Sequence, residues 1–157
     1  MEIREQLQKL RKLQDGWLDG EGRAPDRAGL DWLSSAFDQQ FPSDLALPYM
    51  YPTPEGHVRA EWSLPPHEIS LEIDLEDDSG EWHHLNLETD KGETRSLDLD
   101  DTAEWGWVSK SVRRLSENAD VRRVMQRPIA RSSEAEVPER DIDDERVNAN
   151  EPDRTAT

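Results

Sequence analysis

Residues 57–76 read HVRAEWSLPPHEISLEIDLE, and apolar and polar side chains alternate through most of this stretch. Every second residue from Val58 to Leu64 is apolar, and the alternation resumes from Ile69 to Leu75 after two prolines. A period of two puts the apolar side chains of a strand on one face and the polar side chains on the other. The stretch therefore predicts two consecutive antiparallel strands with one buried face.

Weaker strand patterns lie on both sides of this pair. Leu85 and Leu87 mark one further strand, Leu97 and Leu99 mark a last one, and turn-forming residues separate them. The segment LPYMYP, residues 47–52, predicts a short edge strand because sheets tolerate proline at their edges. The sequence as a whole predicts an antiparallel meander of four or five strands.

Apolar residues recur at helical spacing before and after the predicted meander. They predict two N-terminal helices, around residues 3–13 and 30–41, and a C-terminal helix capped by Asp101. The last helix is predicted to continue through residues 121–125 as far as Pro128. Together with the meander, this order predicts an α+β fold with the helices on one face of the sheet.

The end of the chain differs in composition from the rest. Residues 132–157 contain no aromatic residue and few large apolar residues. Such a segment cannot bury enough surface to offset the entropy lost on ordering. We therefore predict a single α+β domain over residues 1–128 and a disordered acidic tail over residues 129–157.

The chain carries 19 basic and 36 acidic side chains, a formal net charge of −17. Direct binding to nucleic acid or to an anionic membrane is disfavoured, because both require a positive surface. A basic protein partner is the favoured alternative. The chain is also poor in lysine, and acid-rich, lysine-poor sequences are typical of salt-adapted cytoplasmic proteins. The acidity is therefore either a binding feature or a general adaptation of surface solvation.

The sequence also carries indications of the cellular compartment. It contains no cysteine, which excludes disulfides, thiol nucleophiles and thiolate metal sites. The sequence contains no run of 18 apolar residues and therefore predicts no transmembrane helix. Residues 1–10 do not resemble a signal peptide. We therefore expect a cytoplasmic protein.

The segment QDGWLDGEGRAPD, residues 14–26, joins the two predicted N-terminal helices. From Asp15 to Asp26 it has the length of a calcium-binding EF-hand loop. Trp17 stands at the third position, where a ligand is required, and Asp26 replaces the bidentate glutamate, so calcium binding is not expected. We interpret the segment as a connector whose glycines permit tight reversal and whose Trp17 covers the junction of the two helices.

Two segments resemble motifs of a known group of proteins. GWLDGEGRAP at residues 16–25 and PTPEGHVRAEW at residues 52–62 resemble the "GWDGxGA-P" loop and the "PTPDGG-hydrophobic-EW" strand of uncharacterised small bacterial proteins. The resemblance covers about residues 3–90, and it departs from the pattern at the additional Leu18 and at His57, where a second glycine is usual. Genes of this group lie among mobile or defence-type cassettes, so the resemblance implies a partner-binding role.

No motif for metal binding or catalysis is present. The chain has four histidines, but His83 and His84 are neighbours on a predicted strand and point to opposite faces. There is no HExxH motif, nucleophile elbow, P-loop or GxGxxG motif. We therefore expect no cofactor, no metal site and no catalytic residue.

Residues 109–131 differ from the rest of the chain in charge. They hold seven basic and two acidic side chains, and Arg113 and Arg114 lie opposite the apolar stripe of the last predicted helix. One interpretation is a nucleic-acid contact. The other is a solvated helix face whose basic groups meet acidic neighbours.

The polar face of the predicted sheet is rich in carboxylates and is the predicted partner surface. Trp82 has the parity of His84 and the opposite parity to Leu85 and Leu87, which places it on the acidic face as an interface anchor. Alternatively, a β-bulge turns Trp82 into the core. The predicted partner-binding residues are Trp82, Glu61, Glu68, Glu72, Asp74, Glu76 and His84.

These features predict a noncatalytic acidic protein-interaction module. An antitoxin or immunity-type protein that neutralises a basic partner fits them best. A second hypothesis is a DNA mimic or regulatory protein that occupies a nucleic-acid-binding groove with carboxylates in place of phosphates. A third is a metal-binding or hydrolytic enzyme.

Overall fold

The computed structural model describes the backbone of residues 2–126 and the side chains of residues 2–119. The chain divides into two units, Met1–Ser116 and Glu117–Thr157, and the described part of the second is the end of a helix. The predicted domain end at residue 128 and the predicted tail over residues 129–157 lie outside the described residues. The elements are α1 (Ile3–Arg11), α2 (Arg27–Gln40), β1 (Tyr49–Pro52), β2 (Val58–Leu64), β3 (His67–Asp74), β4 (Ser79–Asn86), β5 (Lys91–Asp98) and α3 (Thr102–Gln126).

The five strands form one antiparallel sheet in the order β1-β2-β3-β4-β5. Each strand pairs with the next one along the chain, which confirms the predicted α+β class and the antiparallel sheet. The central register pairs Ala60 with Leu71 and Leu71 with Trp82. Cross-strand partners share a face of the sheet, so these three side chains point to the same side.

Side-chain hydrogen bonds cap the start of α2 and attach α1 to β1. Asp26 stands before α2 and its carboxylate accepts a hydrogen bond from the Gly29 N–H at 2.8 Å. This contact satisfies one of the backbone donors that a helix start leaves unpaired. Gln6 of α1 binds β1 through both ends of its amide, donating to the Pro48 carbonyl at 3.0 Å and accepting from the Met50 N–H at 2.7 Å.

The core lies between the helices and one face of the sheet. Leu7, Leu33 and Trp105 from the three helices are buried together with Val58 and Leu71 from the sheet. Full burial of one such aliphatic side chain contributes about 1.5–3 kcal/mol. Because this apolar interior lies on one side of the sheet, only every second side chain of β2 and β3 is buried.

The predicted position of Trp82 on the acidic face is wrong. Trp82 has no exposed surface, and its ring contacts the rings of Trp62 and Trp107. No β-bulge is needed, because the register continues without interruption through Trp82. The predicted parity is correct but the two faces are exchanged, and Leu85 lies on the open face with 38% of its surface exposed.

Gly80 lies on the inner face of β4 at a position where the core leaves no space for a side chain. A Cβ atom at Gly80 would lie 2.9 Å from Leu71 Cδ1 and 3.1 Å from Leu99 Cδ1. The space above Gly80 is therefore filled by the leucines of neighbouring elements. Two residues further along, the same face accommodates the large indole of Trp82.

None of the helices in residues 2–126 has both the length and the apolar composition needed to cross a membrane.

Candidate protein-interaction surface

The second face of the sheet, which we call the outer face, is formed by the side chains that alternate with the core. Its cross-strand rows can be followed from the register, for example Arg59 opposite Glu72 and Glu72 opposite Glu81. The outer face comprises Tyr49, Tyr51, Arg59, Glu61, Ser63, Glu68, Ser70, Glu72, Asp74, Ser79, Glu81, His83, Leu85, Thr94, Ser96 and Asp98.

The structure brings four of the predicted partner-binding residues together on the outer face. Glu68 is exposed, and Glu61, Glu72 and Asp74 are half-buried. All four belong to β2 and β3, where the alternation of the sequence is regular. The face also gains Glu81, which stands directly opposite Glu72 and accepts a hydrogen bond from the Ser96 hydroxyl.

The other three predicted residues lie elsewhere. Trp82 is in the core, and His84 is on the inner side of β4, where its ring faces His67. Glu76 follows the end of β3 and pairs with Arg23 at 3.0 Å. The prediction that His84 shares the acidic face is therefore wrong for the same reason as for Trp82, since both have the inner parity of β4.

Side chains of the chain itself contact some of the carboxylates of the outer face. His57 Nδ1 lies 2.9 Å from Glu72 Oε2, and its Nε2 lies 3.6 Å from Asp74 Oδ2. The Arg59 guanidinium lies 3.3 Å from Glu72 and 4.0 Å from Glu61. The hydrogen bond with His57, followed by that from Arg59, lowers the pKa of Glu72 despite its partial burial. The negative charge of this face is thus interrupted near Glu72 rather than continuous.

An open groove of about 900 Å³ crosses the outer face from β1 to β5. Tyr49 and Tyr51 line it with 67% and 46% of their surfaces exposed, and their ring centroids are 6.5 Å apart. Glu61 and Glu68 line the same groove. The groove therefore combines carboxylates with exposed aromatic rings.

The two tyrosines are not among the site residues that the sequence predicts. The segment LPYMYP predicts only an edge strand. Because Met50 between them has the parity of buried Ala60, both tyrosines must point to the outer face. The alternation Tyr-Met-Tyr contains this signal once the buried parity of the neighbouring strand is known.

A histidine pair lies at one end of the inner face. His67 Nδ1 and His84 Nε2 are 3.0 Å apart, and Glu93 lies 3.7 Å from His84 Nδ1. Burial is the largest cause that lowers the pKa of each ring, and the positive charge of Arg114 adds to it. Within residues 2–119, no group of three or more His, Cys, Asp and Glu side chains is arranged to hold a metal ion.

The loop over residues 14–26 is closed by its own hydrogen bonds. The Gly16 N–H donates to the Gly22 carbonyl at 2.8 Å, and the Trp17 indole donates to the Arg23 carbonyl at 2.9 Å. The Arg23 N–H then donates to the Pro54 carbonyl at 2.8 Å. The two segments that resemble the bacterial motifs are therefore in contact, and the geometry is that of a structured connector.

The described part of the basic segment 109–131 meets acidic neighbours. Arg113 forms two hydrogen bonds with Asp44, the shorter at 2.8 Å. Arg114 lies 3.7 Å from Glu93. These contacts favour the interpretation of a helix face paired with acidic groups over that of a nucleic-acid contact.

Comparison with protein-family models, with curated proteins and with solved structures finds no match to the chain.

Proposed function

We propose that the chain is a noncatalytic protein-interaction module that binds a basic partner protein through the outer face. An antitoxin or immunity-type protein acting in the cytoplasm is the biological role that fits this chemistry best. The observation that carries the proposal is the groove that Glu61 and Glu68 line together with Tyr49 and Tyr51.

This combination of side chains suits arginine and lysine. A carboxylate accepts charge-assisted hydrogen bonds from a guanidinium or an ammonium group. An aromatic face attracts the same cation and supplies apolar contact area. Tyrosine is also enriched among the residues that dominate binding energy at interfaces. Tyr49 is the most exposed of the large apolar residues in the described part of the chain, so it is the strongest candidate anchor.

The charges within the outer face indicate which carboxylates a partner would use. Glu72 is already engaged by His57 and Arg59. Glu61 is held less closely, since its carboxylate lies 4.0 Å from the Arg59 guanidinium. A partner cation therefore gains more from Glu61 and Glu68 than from Glu72. The same interruption argues against the DNA-mimic hypothesis, since a substitute for a phosphate backbone needs an unbroken series of negative charges.

The proposal is tested by comparing matched variants in co-purification and binding experiments. The tagged protein is used to isolate partners from its source cells at low salt. Purified partners are then measured by surface plasmon resonance against Glu61→Gln with Glu68→Gln, and against Tyr49→Ala. The matched control is Glu21→Gln with Asp38→Asn, which removes the same charge from exposed positions outside the groove.

We expect the groove carboxylate variant to slow association, because Coulomb attraction steers the encounter. Tyr49→Ala is expected to accelerate dissociation and to cost about 2 kcal/mol of affinity. The control variant is expected to bind like the wild type. A basic partner that binds both carboxylate variants equally well would contradict the proposal, because its attraction would then come from net charge alone.

A further inference from the structure

A second charged surface lies between α1 and α2 and has the opposite sign to the outer face. It is an open groove of about 750 Å³ lined by the basic side chains of Arg4, Arg11, Lys12 and Arg27. Among the described residues that line it, Asp31 alone is acidic. In a chain of net charge −17 this is a local inversion of charge.

The basic groups are spread along the groove rather than gathered at one point. Arg4 and Arg11 are seven residues apart on α1, which corresponds to about 10 Å along a helix axis. Arg27 is the first residue of α2, where the positive end of the helix dipole adds to its charge. The floor is apolar, since Leu7 and Leu30 line the groove and are buried.

Part of this positive charge is available to a ligand. Arg11 forms an ion pair with Asp31, whereas Arg4, Lys12 and Arg27 are exposed. Ser34 and Ser35 add hydroxyl groups to the opposite wall. A row of cations flanked by hydroxyl donors matches a series of carboxylates spaced along a peptide.

We propose that the groove between α1 and α2 binds an acidic peptide segment of a partner protein. The row of cations is too long for a single small anion. A nucleic acid would extend beyond the groove and meet the acidic remainder of the chain, where repulsion acts over about 10 Å at 0.1 M salt. A short peptide confines its carboxylates to the groove. This site is independent of the outer face, which has the opposite charge and selects the opposite partner chemistry.

The test uses a fluorescein-labelled peptide of alternating glutamate and alanine, followed by fluorescence anisotropy at low salt. Arg4→Gln combined with Arg27→Gln is expected to weaken binding about fivefold or more, as two exposed ion pairs are lost. The matched control is Lys9→Gln combined with Lys110→Gln, which removes the same charge from exposed positions outside the groove. The control should bind the peptide within about twofold of the wild type, because only bulk charge changes.

Three outcomes would overturn the proposal. The first is that the wild type does not bind the peptide. The second is that both double variants weaken peptide binding equally, which would assign the effect to net charge. The third is that a labelled oligothymidine of equal charge binds more tightly than the peptide through Arg4 and Arg27, which would make the groove a phosphate site. Glu61→Gln with Glu68→Gln should not weaken peptide binding, so a failure here is distinguishable from a failure of the outer-face proposal.

Discussion

At the scale of single residues, the indole of Trp82 occupies the centre of a chain of aromatic contacts. It lies between Trp62 and Trp107, and Trp107 in turn carries the Arg95 guanidinium 4.4 Å from its ring centroid. The Trp82 indole N–H is buried and has no hydrogen-bond acceptor among the described residues. An unpaired buried donor costs about 1–3 kcal/mol, so the packing of the ring must more than offset it.

Two substitutions at Trp82 separate packing from the unpaired donor. Trp82→Ala is expected to lower the free energy of unfolding by about 3–5 kcal/mol through the cavity it leaves. Trp82→Phe removes the orphan N–H together with part of the ring, so its cost should be below about 2 kcal/mol. Urea denaturation followed by circular dichroism measures both. Tyr49→Ala on the outer face is the control and should change stability by no more than about 0.5 kcal/mol. Equal losses for Trp82→Ala and the control would place Trp82 outside the core.

The histidine pair predicts a dependence of stability on pH. The folded protein lowers the pKa of His67 and His84 below the ordinary value of 6.5. The unfolded chain therefore takes up protons first as pH falls through that value. As the pH is lowered from about 6.5, the free energy of unfolding should decrease. The decrease should continue until the pH reaches the lowered pKa of the folded state. The stability attributable to the pair is complete at higher pH.

This dependence is measured by urea denaturation in a series of buffers at constant ionic strength. In His67→Gln with His84→Gln, the slope of stability against pH should decrease in the range just below pH 6.5, because both rings are absent. An unchanged slope in the double variant would mean that other groups cause the acid sensitivity. The charged neighbours of the pair, which are left in place, are Glu88, Glu93 and Arg114.

At the scale of secondary structure elements, the sequence was most informative where the alternation was regular. β2 and β3 were predictable because every apolar position in them has one parity and meets the core. The inner face of β4 was not predictable in the same way. Leucine is normally buried, so Leu85 was assigned to the core, whereas Gly80 and Trp82 define the inner face. Only the register with Leu71, across the β3–β4 hairpin, decides between the two parities.

The candidate surface was predictable to a similar degree. Glu61, Glu68, Glu72 and Asp74 follow from the alternation in β2 and β3. The contacts of Glu72 and Asp74 with His57 do not follow from that alternation, because His57 reaches both carboxylates from outside the strand that carries them. Ion pairs of this kind depend on side-chain position across strands, which a pattern of polar and apolar residues does not contain.

The start of α2 provides a test at the scale of an element. Asp26→Ala should reduce the free energy of unfolding by about 1 kcal/mol, because the Gly29 N–H loses its acceptor. Asp38→Ala, at an exposed position within α2, should change it by no more than about 0.5 kcal/mol. Chemical denaturation of the two variants in parallel gives the comparison. A loss at Asp38 as large as that at Asp26 would show that charge, rather than capping, is responsible.

At the scale of the whole molecule, the balance of charge is the dominant feature. Thirty-six acidic side chains against 19 basic ones create self-repulsion in the folded state. Added salt screens this repulsion, with a Debye length of about 10 Å at 0.1 M and about 3 Å at 1 M. Salt should therefore stabilise the fold even where it weakens binding to a basic partner.

Thermal melting at increasing sodium chloride concentration tests this expectation. The melting temperature should rise by several degrees between about 0.05 and 0.5 M salt, which corresponds to about 1 kcal/mol for a domain of this size. Asp78→Asn removes a carboxylate whose pKa is raised first by burial and then by the neighbouring charges of Asp100, Asp77 and Asp98, so the rise should be smaller in that variant. A melting temperature that falls with salt would indicate that attractive ion pairs outweigh the repulsion.

The amide of Gln6 has a consequence for how the molecule avoids its own copies. β1 is an edge strand, and the free edge of a sheet is a template on which another chain can polymerise. Gln6 occupies the Pro48 carbonyl and the Met50 N–H, and Pro52 has no N–H to offer. At this edge, two backbone groups that an incoming strand would pair with are therefore occupied, and a third is absent. The exposed rings of Tyr49 and Tyr51 therefore lie beside a sheet edge that offers an incoming strand fewer free backbone groups.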